Sequence, residues 1–166
     1  MGQQNMPARM ACITIALLLA ACGSENATDK PSANAASETA PASAPASLPR
    51  TPAPEGARVF FITPADGDTV SNPVVIEFGT DGVAVVKAGI NEPASGHHHL
   101  IIDAGLPDPA LPIPASDNYI HFGDASIKTE RTLTPGTHTL QLLLGDHLHI
   151  PHDPPIASDV ITITVE

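Results

Sequence analysis

The sequence predicts an all-β fold, an antiparallel sandwich in which two sheets enclose one core. Three observations predict it. Short runs rich in Val, Ile, Thr and Phe recur between Arg58 and Glu166, set apart by Pro, Gly, Asp and Asn turn signals. Several runs alternate apolar and polar residues with the period of a strand that packs one face on a core. No stretch of helical period interrupts them. About seven or eight short strands at such spacing is the pattern of an immunoglobulin-like sandwich.

Taken in order, Arg58 to Thr63 is β-rich and runs into Pro64-Ala65-Asp66-Gly67, where proline presets φ and glycine accepts a positive one. Val74 to Gly79 reads as a strand introduced by Pro73, and Val83 to Ala88 as another after Asp81-Gly82. His97 to Asp103 is the fourth. Ala104 to Asn118 carries Pro107, Pro109, Pro112 and Pro114 without any strand or helix period, so it reads as a long loop. Tyr119 to Phe122 and Ile127 to Leu133 are short strands. Thr134-Pro135-Gly136-Thr137 then turns the chain into His138 to Leu144, in which His138, Leu140, Leu142 and Leu144 share a face. Val160 to Val165 alternates again and closes the domain. Asp66, Asp68, Asp81 and Asp124 stand in turn contexts and are read as turn formers.

The first third of the chain has a different character. Residues 1–21 hold one basic residue, Arg9, and an apolar run, Ala11 to Leu19, too short to anchor in a bilayer, as in a secretory signal. The run ends in Leu19-Ala20-Ala21-Cys22, which resembles the bacterial lipobox. That resemblance implies cleavage before Cys22, its acylation, a membrane association through the lipid anchor, and, with Gly23 and Ser24 following, an outer-membrane lipoprotein facing the periplasm. Residues 22–57 are rich in Ala, Pro and Ser and lack apolar periodicity, so a disordered linker is expected there. The folded domain is then expected over residues 58–166.

The net charge is −11, and loss of the signal removes Arg9 from the 7 basic residues and none of the 18 acidic ones. A nucleic-acid partner is excluded, because it requires clustered Lys and Arg. No Gly-x-Ser-x-Gly elbow, phosphate loop or dinucleotide glycine pattern appears. No catalytic residue is assigned, and no protein partner is indicated.

Six of the 8 histidines fall in two clusters, Gly96-His97-His98-His99-Leu100-Ile101-Ile102-Asp103 and Asp146-His147-Leu148-His149-Ile150-Pro151-His152. On an extended strand, His97 and His99 point to one side with Cα atoms about 6.6 Å apart, within reach of one ion. His98 then shares the face of Leu100 and Ile102. Ile101 is apolar too, so the spacing also allows the inverse. His147 and His149 repeat the i, i+2 spacing, and Pro151 stiffens the approach to His152. Neutral imidazoles without cysteine suit a divalent transition metal, copper or zinc. The expected ligands are His97, His99, His121, His147, His149 and His152, supported from outside by His98, Asp103, His138 and Asp146. A non-catalytic structural or protein-interaction module, with the histidines in a hydrogen-bond network, is the alternative.

Two resemblances extend this reading. The turn at Pro64 to Gly67 and the strand entry Pro135-Gly136-Thr137-His138-Thr139-Leu140 resemble bacterial extracytoplasmic sandwich modules, periplasmic copper carriers among them, which implies kinship of fold. The ordered series of the first histidine cluster, His121-Phe122-Gly123, Gly136 to Asp146 and His149-Ile150-Pro151-His152 with Pro154-Pro155 is similar to a bacterial secreted or lipoprotein β-domain family of unknown function. It covers about Phe60 to Val165 and implies no activity. The stretch Gly123 to Glu130 departs from that family's pattern, which is Gly-rich before Thr-Glu.

Overall fold

The structure, a computed structural model, describes residues 48–166. The expected signal over 1–21, the lipidated Cys22 and most of the linker lie outside the described residues. Among the described residues the chain forms nine strands and no helix. They are β1 Arg58–Thr63, β2 Thr69–Val70, β3 Val74–Asp81, β4 Ala84–Val85, β5 Ser95–Ile102, β6 Tyr119–His121, β7 Lys128–Arg131, β8 Gly136–Gly145 and β9 Ile161–Val165.

Two sheets result, as expected of a sandwich. One has three strands in the order β1-β3-β7; the other has six, ordered β2-β9-β8-β5-β4, with β6 also paired to β5. Apolar alternation decides which side of each strand is buried. In β3, Val74, Ile76 and Phe78 turn inward, and in β9 Ile161, Ile163 and Val165 do the same between outward threonines. Beside β9 in the large sheet, β5 and β8 present Leu100, Ile102, Leu140, Leu142 and Leu144 to the same core, and Phe122 and Ile156 complete it. Burying side chains of this size stabilises by roughly 1.5–3 kcal/mol each.

Three expectations need correction. The sheets are not wholly antiparallel, because the short pairs β2–β9 and β4–β5 run parallel. The strand expected over 83–88 shrinks to two residues, and Thr69–Val70 is an additional strand. The boundary at residue 58 also falls too late. Pro52 bridges Asp153, the Asp153 N–H donates to the Thr51 carbonyl at 2.9 Å, and Ala53 and Ala57 pack on the core.

The large sheet is covered on both faces, and every residue of β5 is buried. Its outer face carries a second apolar cluster of Ile101, Leu143 and Ile113, the last delivered by the proline-rich loop after β5. The expected long loop is therefore a lid on the outer face, and it lies over the strand that bears the histidines.

Candidate metal centre

β5 sorts the first histidine cluster by the two-residue period of a strand. His98 faces the core, its ring 4.6 Å from that of Phe78, alongside Leu100 and Ile102. His97 and His99 share the outer face with Ile101, so the inverse assignment falls away. In register, His99 stands opposite His121 on β6 and Leu143 on β8, and His97 stands opposite Gly145 at the end of β8. The chain then turns at Asp146 and brings His149 back over the same face.

Four imidazoles converge there. Ring centroids lie 4.9 Å apart for His97–His99, 5.0 Å for His97–His121, 4.8 Å for His97–His149, 5.1 Å for His99–His121, 6.1 Å for His99–His149 and 4.8 Å for His121–His149. Five of the six separations fall between 4.8 and 5.1 Å, and His99–His149 is longer at 6.1 Å. The Nε2 atoms of His97 and His99 approach to 3.1 Å. Imidazole nitrogens about 2 Å from a tetrahedral ion stand about 3.3 Å from one another, with ring centroids about 5 Å apart. Nitrogens of His97, His99 and His121 lie within 4.8 Å of one another, a set that does not include His149. The His149 ring stands beside this set, its centroid 4.8 Å from those of His97 and His121.

Two glycines leave room for these rings. A Cβ on Gly145 would stand 3.1 Å from His99 Nε2 and 3.2 Å from Ile113 Cδ1, and one on Gly123 would stand 2.5 Å from His121 Cε1. His97 and His99 are buried, His121 is exposed and His149 half-buried, so the centre opens to solvent on the His121 side. Burial, with the neighbouring imidazoles adding to it, lowers the pKa of His97 to about 4 and that of His99 to about 2. His121 shifts down from the same causes. The His97 and His99 rings are therefore neutral at pH 7 and available as ligands. His99 Nδ1 is buried without a hydrogen-bond partner.

The remaining expected residues go elsewhere. His152 packs against Gly96 on the core side of β5, and its Nε2 meets the Ser95 carbonyl at 3.1 Å. His147 is half-buried and outside the four-ring group. His98, far from supporting a ligand, sits in the core with both nitrogens unpartnered and its pKa lowered by burial to about 4. His138 and Asp103 pair at the far end of β5, Nδ1 to Oδ2 at 2.6 Å, and His138 Nε2 meets the Thr134 carbonyl at 2.8 Å. Asp146 binds no histidine ring, and its carboxylate accepts from Thr51, Leu148 and Ile150. Sequence reasoning missed Gly145, Gly123, Ile113 and Thr51. The two glycines were legible as members of the motifs around them, whereas Ile113 and Thr51 carry no local signal.

A family model described as Domain of unknown function (DUF4399) matches residues 76–166, more than half of the chain and the part that holds all 8 histidines. Comparison with curated proteins and with solved structures finds no match.

Proposed function

The chain belongs to the DUF4399 family of domains of unknown function, and from that premise we propose that it is a cell-envelope domain that binds one divalent transition-metal ion through His97, His99, His121 and His149. The observation that carries the reading is the convergence of four imidazoles from three separate parts of the chain. Zinc fits this arrangement better than copper(II), which favours a tetragonal set of ligands. The soft ligands that hold copper(I) are missing from the domain: the cysteines are Cys12 and Cys22, and the methionines are Met1, Met6 and Met10. Envelope placement rests on the signal-like residues 1–21 and the lipobox-like Cys22. Labelling with a fatty-acid analogue that disappears in Cys22→Ser supports it, and equal labelling of both forms removes it.

The alternative, a structural module whose histidines only exchange hydrogen bonds, describes His138 and His152 well. It describes the centre poorly. Among its four rings one close nitrogen pair is found, His97 with His99, and a buried nitrogen stays unpartnered, an arrangement that costs free energy unless another group supplies the contacts. Untagged protein stripped by a chelator should take up about one equivalent of zinc at pH 7 and release it on acidification, because protonated imidazole cannot ligate. Alanine at His97 or His99 should abolish uptake. Wild-type protein that fails to rebind zinc and copper would sink the proposal.

A further inference from the structure

The turn that carries His149 is built on a buried carboxylate. Asp146 Oδ1 accepts the N–H groups of Leu148 at 2.8 Å and Ile150 at 3.0 Å, and its carbonyl accepts the His149 N–H at 2.9 Å. These bonds wind residues 146–149 tightly enough that His149 takes a φ of 65°, a left-handed conformation unfavourable for a residue with a side chain. Oδ2 points out of the turn. It accepts the Thr51 hydroxyl at 2.7 Å.

Thr51 belongs to a short segment laid along the chain just after His149. Arg50 Nε donates to the Pro151 carbonyl at 3.1 Å, its guanidinium also meets the His152 carbonyl, and it pairs with Asp153 at 2.9 Å. Asp153 N–H donates to the Thr51 carbonyl and Ala53 N–H to the Asp153 carbonyl, both at 2.9 Å. The segment thus holds both ends of the stretch in which His149 sits. His99 and His121 are set by the β5–β6 pairing instead, and His97 by its place opposite Gly145 in the β5–β8 ladder.

Resting on the metal reading, we propose that Arg50–Ala53 is a strap whose Thr51 and Arg50 position His149 as the fourth ligand. Seated, it closes a four-imidazole centre. Unseated, it frees the turn and leaves His97, His99 and His121 around an ion with one exchangeable position. Coupling of this kind is reciprocal, so an ion that engages His149 also holds the strap down. The strap lies near the start of the described residues. It also precedes the family-matched residues, which begin at position 76.

The test is a mutant cycle in the full chain. Zinc affinity by chelator competition and the visible spectrum of the cobalt(II) form are measured for Arg50→Ala/Thr51→Val, for His149→Asn, which tolerates the left-handed turn, and for all three changes together. The strap pair should weaken zinc about tenfold, as loss of an outer support does, and dim the intense cobalt bands of four-coordination. In the His149→Asn background the same pair should change neither, and Thr51→Ser should keep the wild-type values. Equal losses in both backgrounds, or an unchanged cobalt spectrum, would overturn the strap while leaving metal binding intact. Absence of zinc uptake by the wild type would overturn both.

Discussion

At the scale of single residues, the smallest side chain constrains the centre most. Gly145 faces His97 across the β5–β8 ladder, and any Cβ there meets His99 Nε2 at 3.1 Å and Ile113 Cδ1 at 3.2 Å. Gly145→Ala should therefore fold, at a cost of about 1–3 kcal/mol of overpacking, yet bind zinc more weakly than wild type in a calorimetric titration. Unchanged affinity would show that the rings do not need this space. His98 gives the opposite case. Its two nitrogens are buried without partners in an apolar core beside Phe78, and an unmet buried polar group costs about 1–3 kcal/mol. His98→Leu should raise the urea midpoint and leave zinc affinity alone, whereas a fall in stability would mean the imidazole has a partner. That His97 and His99 share one face was legible because a strand has a fixed period of two, whereas which face is the core was settled only by the packing of His98 on Phe78. The choice between His149 and His152 was not legible, since it depends on a left-handed residue and on which face of β5 each approaches.

At the scale of elements, β1, β3, β5, β6, β7, β8 and β9 were legible in the sequence as β-rich runs between turn signals. What escaped was the two-residue β2, which exists because a neighbouring strand offers free backbone groups and not because Thr69–Val70 carries a pattern, while β4 is shorter than the strand expected over 83–88. The segment at residues 50–57 escaped for the same reason. The end of β5 is fastened to β8 by Asp103, which accepts the Thr139 N–H at 2.8 Å and pairs with His138. The paired carboxyl and the Thr134 carbonyl raise the pKa of His138 above its ordinary 6.5. Burial opposes ionisation of Asp103, and the bonds from Thr139 and His138 outweigh it, so its pKa falls below 3.8. The histidine's contribution is complete below pH 6.5 and is lost as pH rises through its folded pKa; the carboxylate's is complete above 3.8 and is lost as pH falls through its own. Asp103→Asn keeps the positive-φ turn and the Thr139 bond while removing the charge. The stability gap to wild type, from urea unfolding, should be widest between about pH 4 and 6.5 and should narrow at higher pH. A gap independent of pH would assign Asp103 a purely geometric role.

At the scale of the molecule, the sandwich was legible but the meeting point was not. Nothing local tells His121, on a three-residue strand, that it will stand opposite His99, or His149 that the turn after β8 folds back over His97. Those contacts come from β5 lying inside the large sheet with β8 on one side and β6 on the other. The same arrangement makes the centre a property of the folded chain alone. Unfolding scatters β5, β6 and the 146–149 turn, so an ion that needs all three binds the native state and stabilises it by RT ln(1 + [L]/Kd), about 2.7 kcal/mol at a hundredfold excess over Kd. Zinc should therefore raise the melting temperature of the wild type in proportion to the logarithm of its concentration, and ethylenediaminetetraacetate should reverse the rise. His97→Ala should melt at one temperature whatever the zinc level. Asp103→Asn, altered at the far end of β5, should keep the full zinc-dependent increment from a different starting point. If its increment shrank along with its stability, zinc would be acting on the whole acidic surface, and the four rings would not be the place where it binds.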